Sequence, residues 1–155
     1  MPTKKDYLCS VFLVYLYSVL NLFAEPIRLS LFGIISYCIL DLLIGGLQMD
    51  MIIHHILTIR LSIYGLKGME SFALIRTLLE TEYSTFFLLL RNIGFHHPLN
   101  TLLFFLSYTH FRMYRIGIMV LQLPYSNVLL NLYFLYALYI YWYLLIIHFI
   151  LKKIY

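Results

Sequence analysis

Two adjacent histidines, His54 and His55, follow closely on two acids, Asp41 and Asp50, in the stretch DLLIGGLQMDMIIHHILT. A carboxylate beside an imidazole fixes its tautomer and raises its basicity. That pairing suits a general base, or a nucleophilic imidazole able to carry an acyl group. Asp50, His54 and Thr58 are four residues apart and stack on one helix face, while His55 points about 100° away, so the two histidines address different neighbours. Asp41 lies in the preceding apolar run. A very short connection turns the chain back there, so Asp41 is expected to approach the histidines from the side. The plainer alternative is a hydrogen-bonded His–Asp clamp between helices, and the residues alone leave both open.

No metal is expected. A helical metal pair needs ligands three or four residues apart, and adjacent histidines do not face one ion. His96-His97 precedes Pro98 in a loop and reads as an interfacial pair. His148, near the end of the last apolar run, reads as a snorkelling side chain.

These polar groups are embedded in an oily chain. Of 155 residues, 63% are hydrophobic, 18% aromatic and 12% charged, against about half apolar and about a quarter charged in a soluble domain. Such a chain cannot hide its apolar surface from water and is expected to place it against lipid. An acid at the centre of a spanning helix costs roughly 2.5 to 3.5 kcal/mol, so such groups are expected to turn inward. The net charge of +4 fits membrane topology signals, with no basic cluster long enough to track nucleic-acid phosphates. Cys9 and Cys38 form no framework.

Six spans are expected, at residues 7–24, 29–47, 51–66, 71–93, 99–120 and 128–151, in one domain covering 1–155. A signal peptide ending near Ala24 is the competing reading of the first run. Pro26 suits the first turn of a new helix, Gly45-Gly46 loosens the end of the second span, and the segment 123–127 breaks the fifth from the sixth. Arg60 makes the third span a poor solo inserter that depends on its neighbours. Short connections imply an antiparallel up-and-down bundle. Lys4, Lys5, Arg91, Lys152 and Lys153 gather at one end and Arg28 and Lys67 at the other, so both termini are expected in the cytosol. In the fourth span Arg76 and Glu80 are spaced as an i,i+4 pair, and Glu80 and Glu82 are expected to balance Arg112 and Arg115 on the fifth. Tyr133, Tyr136, Tyr139, Tyr141 and Tyr143 read as a lipid-facing or packing belt.

Three blocks carry a resemblance. Gly33-x3-Tyr37-x3-Asp41, then Asp50-x3-His54-His55-x2-Thr58, then Glu82-x-Ser84-Thr85-x-Phe87 together resemble the TLC-domain family, named for the translocating-chain-associating membrane protein, the longevity-assurance proteins and their relatives. Arg115 matches an arginine frequent in the family's fifth span. The resemblance covers nearly the whole chain and implies an all-α, integral-membrane, six-helix antiparallel bundle or barrel with a polar interior. In the family's ceramide synthases a histidine pair transfers an acyl group from acyl-CoA to an amine. By that resemblance His54 or His55 would be acyl acceptor or base, Asp41 and Asp50 its supports, and Thr58, Glu82 and Arg115 part of a polar, lipid-binding interior. The fourth block here, RTLLETEYSTFF, has no His-Asp and is similar to the smaller non-synthase members, which act on membrane lipid composition.

The expectation is therefore a multi-pass protein of the endoplasmic reticulum or another internal membrane that handles lipid acyl chains. An acyl-CoA-dependent N-acyltransferase and a structural or cargo-binding protein are the alternatives. No cofactor is expected, with acyl-CoA as substrate if the protein is an enzyme. Its partners would be membrane lipid and a membrane protein or second copy of the chain, not nucleic acid.

Overall fold

The computed structural model describes residues 4–20, 27–44, 47–68, 72–123 and 127–154, and every regular element among them is helical. Helix α1 is Lys4–Leu20, α2 Ile27–Ile44, α3 Met49–Leu66, α4 Phe72–Glu80, α5 Glu82–Asn92, α6 Pro98–Ser107, α7 Ile116–Gln122 and α8 Asn127–Ile154. A π-helix, Tyr108–Arg115, joins α6 to α7. The expected features at Ala24, Pro26, Gly45-Gly46 and 124–126 lie outside the described residues.

These helices form six rods, because α4 and α5 are separated only by Thr81 and α6 runs through the π-helix into α7. Local chemistry sets the ends. Gly68 (φ 67°) and Gly94 (φ 108°) take positive φ just after α3 and α5, where a side chain would be strained. Pro98 opens α6, and His97 Nδ1 accepts from Leu99 N–H at 3.2 Å as its cap.

The break at Thr81 also has a local cause. Thr81 Oγ1 donates back to the Leu78 carbonyl at 2.7 Å and Ser84 Oγ to the Thr81 carbonyl at 2.9 Å. Hydroxyls bonded in this way compete with the helix ladder and bend it. The fourth span, expected as one continuous helix, is thus two.

The π-helix answers a different problem. Buried positions on its rod fall at multiples of four residues, at Asn100, Tyr108, Arg112, Ile116 and Val120, with Phe104 half-buried between the first two. In an α-helix such a row drifts about 40° per step. The wider i→i+5 turn reverses that drift, so Tyr108, Arg112 and Ile116 all point inward. The fifth span, also expected as plain α-helix, is α–π–α for this reason.

Each rod packs on its neighbour in the order α1, α2, α3, α8, then the π-helix with α7, then α4–α5, which returns to α1. The ring closes. Two apolar clusters hold it: Val11, Leu31, Ile34 and Leu79 where α1, α2 and α4 meet, and Leu61, Leu74, Ile116 and Leu132 where α3, α4, α7 and α8 meet. Large apolar side chains are exposed on five of the six rods, among them Leu13, Phe32, Ile56, Leu102, Leu121 and Leu144, while the large apolar side chains described on α4 and α5 are buried or half-buried. Charge is buried inside instead, at Asp41, Glu82 and Arg112.

Among the described residues one helix is by length and composition apolar enough to cross a membrane, Val128–Lys152 within α8, with a mean hydropathy of 2.0 and 11% of it buried. Helices α1, α2 and α3 run 17, 18 and 18 residues, at the lower limit for a span of about 17–25.

Candidate functional site

Asp41 stands one turn before the end of α2, and His55 lies two turns into α3. The tight reversal between these helices sets the two side chains face to face. His55 Nε2 lies 2.7 Å from Asp41 Oδ2, with 2% and 12% of the side chains exposed. An ionised carboxylate only accepts, so the ring proton sits on Nε2 and donates to Asp41. His55 Nδ1 is then the lone-pair nitrogen, and it has no hydrogen-bond partner. Tyr37 meets the His55 ring edge-on at 5.7 Å and fixes its plane.

His54 faces elsewhere, as helical spacing requires. Its ring contacts Trp142 at 5.2 Å and Tyr139 at 5.9 Å, both on α8, and its Nδ1 also lacks a hydrogen-bond partner. One turn earlier, Asp50 Oδ2 accepts from Trp142 Nε1 at 2.6 Å. Asp50 therefore ties α3 to α8 and does not bond either histidine.

Opposite the histidines stands Arg112, 4% exposed. Its Nε donates to Ser84 Oγ at 2.8 Å and to the Thr81 carbonyl at 3.2 Å, and its Nη2 to Thr85 Oγ1 at 2.5 Å. The guanidinium lies over the rings of Tyr139 at 4.7 Å and Tyr108 at 5.2 Å, contacts worth about 0.5–2 kcal/mol each. The Thr81 carbonyl is available to it because the helix breaks there. Glu82 Oε2 is 3.7 Å away, beyond hydrogen-bond reach.

Between these walls is a cavity of about 620 Å³, within the usual 300–1,000 Å³ for a small-molecule site. Its floor carries Tyr37, His54, His55, Glu82, Ser84 and Arg112. Its middle is apolar, with Leu88, Phe104, Phe105 and Leu145. Its mouth carries Gln48, Asp50, Arg91 and His148. The mouth lies at the end of the ring where α1 starts and α8 finishes, the end that holds Arg91 and Lys152. Arg91 stacks on Phe149 there at 5.6 Å.

The structure thus brings His54, His55 and Glu82 to the cavity floor, with Asp41 behind His55, and leaves Asp50 at its mouth. Thr58 lines a separate small cavity of about 30 Å³, together with Ser62, Thr81 and Glu82. Arg115 is not on the floor. It pairs with Glu80 and reaches Thr77 at 3.3 Å, its side chain 35% exposed. The π-turn sends Arg112 inward in its place. Arg76 of the same rod joins Glu80 at 3.3 Å, and the pairs Glu80–Arg115 and Glu82–Arg112 set the acids of the fourth rod against the arginines of the fifth. The tyrosines of α8 divide: Tyr133 and Tyr141 are about half exposed, but Tyr139 is 1% exposed and belongs to the interior. Arg112, Tyr139 and Trp142 are the site residues that sequence reasoning passed over. The signal for Arg112 was the every-fourth row of its rod, while nothing local marked Trp142 as a partner of Asp50.

Among the described residues no group of three His, Cys, Asp or Glu side chains is placed to hold a metal ion. Comparison with family models, curated proteins and solved structures finds no match.

Proposed function

We propose that the chain is a six-span integral-membrane protein of TLC type that takes a lipid acyl chain into its central cavity and thereby acts on membrane lipid composition. One observation carries the reading: a cavity with an apolar middle and a polar floor sits inside a ring that exposes large apolar side chains on five of its six rods. Lipid around the ring satisfies the exposed Leu, Ile and Phe side chains, and the interior supplies the partners that buried charge requires. Arg91 and Lys152 at the mouth favour a cytosolic opening, and the endoplasmic reticulum or another internal membrane is the matching location. Protein extracted in mild detergent should carry an acyl-chain lipid in its mass spectrum. Lipid-free protein whose expression also leaves the host lipidome unchanged would overturn this.

The 2.7 Å contact between His55 and Asp41 favours a second reading, an N-acyltransferase using acyl-CoA. His55 Nδ1 would take the proton of the acceptor amine as its nitrogen attacks the thioester carbonyl. Asp41 would stabilise the resulting imidazolium, and the proton would leave with the departing thiol. Amide formed from labelled acyl-CoA and lost in His55→Ala supports it. Equal amide in the variant, or none in the wild type, rejects it.

A further inference from the structure

Hydrogen-bond accounting at the cavity floor points to the head group of the bound lipid, given the lipid-binding reading above. Glu82 is 5% exposed and lines both the main cavity and the small one behind it. A carboxylate offers about four acceptor sites, yet no described residue donates a hydrogen bond to it, the nearest cation being Arg112 at 3.7 Å. Arg112 gives its Nε–H to Ser84 and the Thr81 carbonyl and an Nη2–H to Thr85, which uses two of its five N–H groups. His55 Nδ1, with the ring proton committed to Asp41, is a second acceptor without a donor. Buried acceptors left unpaired are costly. The floor thus sets unpaired acceptors, Glu82 and His55 Nδ1, beside unused N–H groups of Arg112.

We infer that the cavity selects a single-chain lipid with an uncharged, hydroxyl-bearing head, whose O–H donates to Glu82. A fatty-acid carboxylate can accept from Arg112 but has no proton to give Glu82 and sets a second negative charge beside it. An ammonium brings donors, but it must pass the apolar collar of Phe104, Phe105 and Leu145 and then sit beside the Arg112 guanidinium, losing its hydration on the way. A hydroxyl avoids both penalties. It also accepts, so from the cavity side it can bridge Glu82 and Arg112, whose nearest atoms are 3.7 Å apart, and bond both.

The chain carries its own reporter. Its only tryptophan, Trp142, lines the cavity, and bromine on a bound chain quenches indole fluorescence. The full-length protein in detergent is titrated with a mid-chain brominated long-chain alcohol, the matching fatty-acid anion and the matching amine. The alcohol should reach half-quenching at about tenfold lower concentration than the anion, the effect of one buried hydrogen bond to a charged group, and below the amine. In Glu82→Gln the alcohol-to-anion ratio should fall toward one. Quenching by all three without preference, or best by the anion or the amine, overturns the inference and leaves the lipid-binding reading standing. Absence of quenching by every probe overturns both. The wild-type series decides the matter even if Glu82→Gln fails to fold.

Discussion

His55 and Asp41 share a hydrogen bond of 2.7 Å across α2 and α3, while the adjacent His54 makes none with α2 and packs on Trp142 and Tyr139 of α8. One dipeptide therefore addresses two sides of the cavity. His55 is fixed by a charge, and His54 is fixed only by rings.

That difference separates the two histidines in experiment. His55→Ala removes the 2.7 Å partner of the buried Asp41 carboxylate and should destabilise the protein by about 3–5 kcal/mol. Asp41→Asn still accepts from Nε2–H and should cost about 1–2 kcal/mol. Chemical unfolding in detergent measures both. Equal losses would mean that an uncharged acceptor does not replace the Asp41 carboxylate in the pair.

His54→Phe keeps a ring against Trp142 and Tyr139 and removes only the nitrogens. Stability should stay within about 1 kcal/mol, while the lipid recovered with the protein, or any acyl transfer, falls severalfold. Unchanged lipid with unchanged stability would confine His54 to packing. A large stability loss would make it the clamp that the bare sequence also allowed.

Arg112 and Glu82 should behave as a unit. Arg112→Leu strands the carboxylate and should cost about 3–5 kcal/mol, whereas Arg112→Leu combined with Glu82→Leu should recover part of that loss. A double variant as unstable as the sum of the singles would show that the two side chains do not interact.

Gly117 is required by close approach rather than by conformation. A Cβ there would stand 2.7 Å from the hydroxyl of Tyr136, which donates to the Met113 carbonyl at 3.3 Å. Gly117→Ala should cost about 1–3 kcal/mol through overpacking, and adding Tyr136→Phe should return part of it. A neutral Gly117→Ala would mean that α7 and α8 separate easily.

Much of this was legible beforehand, and what was not has physical causes. Apolar runs with brief connections determine the number of rods, and a reversal of a few residues suffices to bring Asp41 to His55. The helical angle between consecutive residues already divided His54 from His55. Choosing between Arg112 and Arg115 was beyond an α-helical period, because the inward row at Asn100, Tyr108, Arg112 and Ile116 becomes straight only through a π-turn. The break at Thr81 depends on hydroxyls bonding back onto their own helix, and Thr and Ser make such bonds in only some helices. The bond from Trp142 to Asp50 joins residues 92 apart in sequence, a pairing no local pattern encodes. Tyr139 looked like its neighbours along α8 until the ring closed around it.

Mass spectrometry of the intact, detergent-extracted protein reads directly whether a lipid chain occupies the space between His54 and Arg112. Wild type is compared with Leu88→Trp, which places an indole in the apolar middle of the cavity without touching the floor. The wild type should carry an added mass matching an acyl-chain lipid, and the variant, folded and helical by circular dichroism, should carry little or none. A bare wild type, or a variant loaded as fully as the wild type, would contradict the account.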